Sequence, residues 1–354
     1  MAALLATGLP PAHAFKLKFD GAGPAFKSTQ SAYAKRVLEH FGSPVHENML
    51  LQSFGCKWEE AQCETGLSGI SRATLLRGVR WPDDPSFYVT QSPSGVYPKD
   101  CLSTGKNRKI FKLGGAKNVE LSAACWILVM GAGQRAAHEV DMSYPLGRKR
   151  NSSFTLPLRS HYADLQFLHG MAPHGQPAAT THALIMAWMR LTYGVARGDY
   201  AATQKVADVI KSTRELRPLQ DYFQPEWSIA DLLDFSDPAT DDARGIALGA
   251  LLHTVQDSFA GCHTVREVRN GKWRIKQHLT YYGQMDVTHT SHDTAYTPAK
   301  GVDGPVEYGA RIVKALRANE PFEVVEPVIE EVFHQEGAIA AAPGESCLPA
   351  SHPG

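Results

Sequence analysis

Residues 251–263 read LLHTVQDSFAGCH, and this stretch decides the fold class. It sets His253, Asp257 and His263 in the order His-x3-Asp-x5-His. The surrounding segment, residues 242–260, is apolar enough to predict a single buried helix. Residues four apart on a helix lie one turn apart, so His253 and Asp257 share a face. Gly261 is a natural stop, which lets His263 fold back over that face from just beyond the helix end. Two imidazoles and a carboxylate converging in this way suit a borderline-soft metal ion such as a catalytic zinc. The competing reading is a pair of ordinary helix histidines beside a surface carboxylate, and the rest of the chain weighs between the two.

The chain has 354 residues, 43% of them hydrophobic and 20% charged, which is globular composition with enough apolar mass for a sizeable core. Lys plus Arg equals Asp plus Glu at 36 each, so broad electrostatic capture of nucleic acid has no support. The histidines cluster along the chain: His161, His169, His174 and His182 form one group, and His253, His263, His278, His289 and His292 another. A multi-metal site needs such clustering, and buried structural histidines produce it too.

Residues 1–14, MAALLATGLPPAHA, resemble the end of a signal peptide with an A-x-A cleavage site, although a basic leading region is missing. Cleavage there would start the mature chain at Phe15. The longest strongly apolar run, residues 123–132, falls well short of the roughly 20 residues that span a bilayer. The expected product is a soluble protein, secreted or periplasmic. The cysteines fit an oxidising compartment. Cys56 and Cys63 are the favoured local pair, Cys101 with Cys125 is a second option, and Cys262 is a candidate free thiol.

Helical periodicity dominates the remainder. Residues 31–41 read as a short helix, and Ser43-Pro44 then caps the segment VHENMLLQSF, with His46 in its first turn. Further helices are expected over residues 119–137, 180–197, 304–318 and 325–335, and over 200–216 with Asp199 as its cap. Residues 272–278 read as a short strand or the approach to another helix. The fold class is therefore all-α: one helical domain over residues 15–340, a loop-rich and in part β insertion at about 86–145, and a flexible tail over 341–354.

The His-x3-Asp-x5-His helix resembles that of the superfamily of zinc-dependent phospholipases C and single-strand-specific zinc nucleases, which are all-α and hold three zinc ions in one cleft. Other elements of that pattern follow in chain order. His46 of SPVHENML matches an early His in the first core helix. WPDDP offers Asp83, with Asp84 as the alternative. SHYAD offers His161 with Asp164, and His169 of QFLHGM competes with His161. VTHTSHD closes the series with His289 and Asp293, His292 being the alternative to His289. The outline covers residues 43–293. Family members also use an N-terminal Trp as a ligand, where this chain would offer Phe15.

The resemblance implies two or three zinc ions. Asp257 would bridge two of them, His161 with Asp83 would complete one of the bridged sites, and His253 with His46 would hold another ion. His263, His289 and Asp293 would hold the remaining ion. Asp83 or Asp84 would also orient the attacking water as a general base. Zinc suits this chemistry because a clustered cation neutralises a phosphodiester and activates water. Glu139 and Asp141 are runner-up ligands. His174, His182 and His278 read as structural, and Trp188, Tyr193 and Tyr281 as core.

The implied activity is a phospholipase C, which would cut glycerophospholipids to diacylglycerol and a phosphorylated headgroup in transient contact with a membrane surface. The alternative is a zinc nuclease that cuts single-stranded nucleic acid to 5′-nucleotides. Asp293, where the lipases carry Glu, leans to the nuclease, and the neutral charge leans away from it. A non-catalytic protein stabilised by zinc is the third reading, disfavoured because structural zinc prefers closed Cys/His sites. The chain has no P-loop, dinucleotide fingerprint, G-x-S-x-G or HExxH motif.

Overall fold

The computed structural model describes residues 45–57, 60, 63–83, 109–113, 116–120, 156–233, 242–281 and 301–342. The described residues are mostly helical, organised around one long helix. Helices α1 (Val45–Ser53) and α2 (Arg72–Arg80) precede a hairpin, β1 (Lys109–Leu113) and β2 (Ala116–Glu120). Then come α3 (Leu156–Tyr162), the 3₁₀ turn Gln166–His169, α4 (Ala178–Arg197), α5 (Val206–Ser212), the 3₁₀ turn Arg214–Leu219 and α6 (Ile229–Leu233). The central α7 (Asp242–Asp257) leads into a second hairpin, β3 (Thr264–Arg269) and β4 (Lys272–His278), and α8 (Pro305–Arg317) and α9 (Phe322–Phe333) close the chain.

Helix α7 is the axis because it is apolar all round, which a helix tolerates only when neighbours cover every side. Ile246, Leu248, Leu251 and Val255 are fully buried along it. Two of its glycines set how closely α2 can approach. A methyl group at Gly249 would come within 2.5 Å of the Gly78 carbonyl carbon and the Leu75 oxygen. One at Gly245 would overlap Thr74 Oγ1, and one at Gly78 would overlap the Ile246 oxygen. The backbones of α2 and α7 therefore touch. Gly245, Gly249, His253 and Asp257 recur every four residues, so the glycine seam runs straight into the polar pair on one face. Trp81, just past α2, stacks on Trp188 of α4 at 5.8 Å and locks the third helix to the pair.

The helix expected to carry His46 and those expected over 180–197, 304–318 and 325–335 are present, with α4 stopped by Gly198 in the left-handed region (φ 93). The expected helix over 200–216 is corrected to the short α5 followed by a 3₁₀ turn. Backbone groups of its first residues are spent elsewhere: Ile229 N donates to Gln204 O, Ala230 N to Ala202 O, and Val206 N to Trp227 O. Tertiary pairing overrides local propensity there. Pro218, which has no N–H, lies in the 3₁₀ turn beyond.

The all-α expectation is corrected as well. β3 and β4 form an antiparallel hairpin in the core, turned by Asn270 (φ 52) and Gly271 (φ 73), the positive-φ pair of a type I′ turn. Val119 and Glu120, expected to open a buried helix, belong to β2; the rest of that helix and most of the insertion lie outside the described residues. Of the expected tail over 341–354, only residues 341 and 342 are among the described residues. Ala341 N donates to Gln176 O, and Ala342 N to His278 O, so both residues are tied down.

The disulfide Cys56–Cys63 is present, with Cα atoms 5.8 Å apart. Cys262 is also disulfide-bonded, so it is not a free thiol. Among the described residues no helix is long and apolar enough to cross a membrane. The signal segment, Phe15 and the expected helix over 31–41 lie outside them.

Candidate metal centre

Where α7 ends, five imidazoles and two carboxylates meet. His253 and Asp257 come from α7 itself, one turn apart as the spacing predicts, with His253 Nε2 2.8 Å from Asp257 Oδ2. His46 from α1 stacks on the His253 ring at 4.3 Å, and its Nε2 lies 3.2 Å from Asp257 Oδ1. Asp83 sits in the turn that ends α2, delivered there by the close α2–α7 contact; its Oδ2 is 3.7 Å from His253 Nε2. His161 from α3 and His169 from the 3₁₀ turn approach Asp83 Oδ1 from the other side, at 3.4 and 3.5 Å. His263 folds back from beyond the helix, its Nδ1 3.6 Å from Asp257 Oδ2. All seven side chains are buried.

Hydrogen bonds fix how several rings present themselves. His253 Nδ1 donates to the Val79 carbonyl at 2.7 Å, and His46 Nδ1 donates to Gln256 Oε1 at 2.6 Å. His263 Nδ1 donates to the His169 carbonyl at 2.9 Å. In His253 and His46 this leaves Nε2 as the inner nitrogen, the pattern of a metal-binding imidazole held by an outer partner, whereas in His263 Nδ1 is the nitrogen nearer Asp257 and Nε2 faces the Tyr281 hydroxyl. The lone pair of a neutral His253 would face an Asp257 oxygen at 2.8 Å, so a proton or a cation has to lie between them. Among the described residues His169 Nε2 and Asp257 Oδ1 are buried without a hydrogen-bond partner, a cost that a coordinated ion removes.

Electrostatics favour the ionised carboxylates. Burial pushes the Asp83 carboxyl up, but His253, the His161 hydrogen bond and His169 outweigh it and hold it at about 2. Burial also raises Asp257, and His253, His263 and the His169 hydrogen bond bring it well below the usual carboxylate range. Burial drives His263 the other way, down to about 4, against the pull of Asp257. It therefore stays neutral and able to coordinate near pH 7.

One ligand atom each from Asp83, His169, His253 and Asp257 can be chosen so that all lie within 4.8 Å of one another, a buried group that could hold a metal ion. The mixed nitrogen and oxygen donors fit zinc, and they differ from the closed Cys/His set of a structural site.

The structure brings together His46, Asp83, His161, His253, Asp257 and His263 of the expected set. Asp84, His289 and Asp293 lie outside the described residues, as do His292, Glu139 and Asp141. His169 and His161 are not alternatives: both rings are in the centre, with centroids 4.5 Å apart. Asp164 goes elsewhere, in a two-pronged ion pair with Arg159 at 2.8 and 2.6 Å. Tyr281, expected as plain core, packs on the rings of His161, His169 and His263, with its hydroxyl 3.5 Å from His263 Nε2. Gln256 was not anticipated, although its place beside Asp257 on a buried helix was a usable signal.

Comparison of the chain with protein-family models, curated proteins and solved structures returns no match, so the geometry of the centre carries the functional argument.

Proposed function

We propose that this chain is a zinc-dependent phosphodiesterase of the phospholipase C type, built as the superfamily it resembles in sequence. The observation that supports it most is the buried convergence of Asp83, His169, His253 and Asp257 on a few ångströms of space, with His46, His161 and His263 around them. Zinc bound there would supply a Lewis acid that neutralises a phosphodiester and brings the proton of water within reach near pH 7.

The chain's own residues divide the remaining work. His253 and Asp257, fixed on one turn of α7, form the rigid base of the site. His46 and His169 close it from α1 and the 3₁₀ turn, and Val79 and Gln256, accepting from Nδ1, hold the His253 and His46 rings with Nε2 turned inward. Asp83, held at about 2, suits binding a cation better than accepting a proton, because a general base works best with a pKa near the operating pH. In this reading Asp83 is a ligand, and Asp84 keeps the base role expected of the pair.

The substrate is a glycerophospholipid met at a membrane surface by an exported enzyme; a chain of zero net charge has no broad field for nucleic acid. Asp293 favours the single-strand nuclease as second reading. Elemental analysis alongside hydrolysis of phosphatidylcholine and single-stranded DNA by one preparation separates them. Two or three zinc ions with lipid turnover is the expected result. Zinc with DNA turnover alone would replace it by the nuclease. Zinc whose removal unfolds the protein, with no turnover, would make it a structural metal protein. No zinc and no turnover would overturn the reading.

A further inference from the structure

The segment that carries His169 is held by an unusual set of partners. Its three consecutive carbonyls, Leu168, His169 and Gly170, each accept a hydrogen bond from a buried side chain. Thr254 Oγ1 donates to Leu168 O at 2.7 Å, His263 Nδ1 to His169 O at 2.9 Å and His278 Nδ1 to Gly170 O at 2.7 Å. Thr254 follows His253 on α7. His263 and His278 stand at the joined end of the β3–β4 hairpin, where Thr264 pairs with His278 and Leu279 N donates to His263 O. Gly170 itself is left-handed (φ 64), and a methyl group there would meet Ser258 at 3.2 Å, so the turn is pressed against the end of α7. The outcome is His169 Nδ1 at 2.7 Å from Asp257 Oδ2.

We propose that His278 is a positioning residue of the metal centre: by holding the Gly170 carbonyl it fixes the turn that presents His169, and so sets the affinity for zinc. This rests on the reading of the cluster as a metal centre. His278 is fully buried and lies outside the ligand set, and its ring reaches the centre only through the backbone that carries His169. An outer partner that orients a ligand in this way is worth roughly 10- to 100-fold in metal affinity.

The test is zinc affinity of the full chain, by competition with a chromophoric chelator, for the wild type and for His278→Asn, His278→Gln and His278→Leu. The amide nitrogen of Asn falls where Nδ1 sits, whereas Gln reaches to the position of Nε2. The expected result is that Gln and Leu weaken zinc binding by about 10-fold or more and that Asn stays within about threefold of wild type. If Leu fails to fold, the contrast between Asn and Gln decides alone. In a His169→Ala background the step from His to Gln at 278 should cost nothing further, because the ligand it positions is gone. Wild-type affinity in the Gln variant, an Asn variant as weak as Gln, or an undiminished effect without His169 would each overturn the proposal. A wild-type chain that takes up no zinc would overturn the metal reading itself, and this proposal with it.

Discussion

His253 Nδ1 lies 2.7 Å from the carbonyl oxygen of Val79. A carbonyl only accepts, so that nitrogen carries the proton and Nε2 is turned on Asp257. A backbone group of α2 thereby selects the tautomer of a ring on α7. Replacing either inner partner should therefore remove metal rather than weaken packing alone. His253→Ala and Asp257→Asn are each expected to lower zinc affinity by about 100-fold or more, beyond the range of outer partners, and to abolish phosphodiester hydrolysis. Elemental analysis after dialysis checks the first, and turnover of phosphatidylcholine the second. Wild-type zinc content in either variant contradicts the assignment.

The Val79–His253 bond exists only because two backbones touch. Gly249 is the contact point, and a side chain there would sit 2.5 Å from Gly78 and Leu75. Gly249→Ala should force α2 and α7 apart, at a cost of about 1–3 kcal/mol or more for overpacking. Because Val79 lies on α2 and Asp83 in the turn that ends it, zinc affinity should fall with stability. Urea unfolding and zinc competition on the same variant measure the two together. A variant that loses neither would show that the seam is not what positions Asp83.

This seam marks the limit of what could be read from the sequence. The pair His253 and Asp257 was legible because a helix imposes the four-residue spacing, and Gly261 announced the turn that brings back His263. The glycines at 245 and 249 were visible as small residues, but nothing local says which helix packs against them. His46, Asp83 and His161 entered only through the order of a family pattern, since their approach to α7 is a tertiary fact. His161 and His169 could not be ranked from sequence, and the structure uses both. The β3–β4 hairpin was legible in principle: Asn270-Gly271 between β-prone runs is a strong turn signal, outweighed in the reading by the helices around it. The helix over 200–216 failed for the opposite reason, good periodicity overruled by pairing with residues 227–230.

Cys56 and Cys63 close a short loop directly after α1, the helix that carries His46. A loop of this size stabilises by about 2 kcal/mol through restriction of the unfolded chain. Cys56→Ser with Cys63→Ser should cost about that much in urea unfolding, while zinc affinity stays within about threefold, because the loop touches α1 only at its far end. A larger loss of zinc than of stability would mean that the bridge orients His46.

Acid should loosen the metal-free protein early, and the sign follows from two buried rings. Burial lowers His263 and His278 from 6.5 to about 4, against the pull of Asp257 on the first and the Gly170 hydrogen bond on the second. Folding keeps both neutral, whereas the unfolded chain protonates them near 6.5. The unfolded state therefore binds more protons below that value, and stability falls as pH falls. The loss begins near pH 6.5 and is complete below about pH 4, reaching about 3 kcal/mol for each ring. Asp83 adds a later loss, from 3.8 down to about 2, as its carboxylate is protonated. In chelator, the urea midpoint should hold steady from pH 8 to 7 and drop steadily from pH 6.5 to 4.5. His278→Asn, which keeps the donor without the titrating ring, should make that drop shallower by roughly half. Zinc should deepen the wild-type drop, because its ligands must be deprotonated and acid releases it. A midpoint that is flat between pH 7 and 4.5 without metal would mean that neither ring is held neutral by the fold.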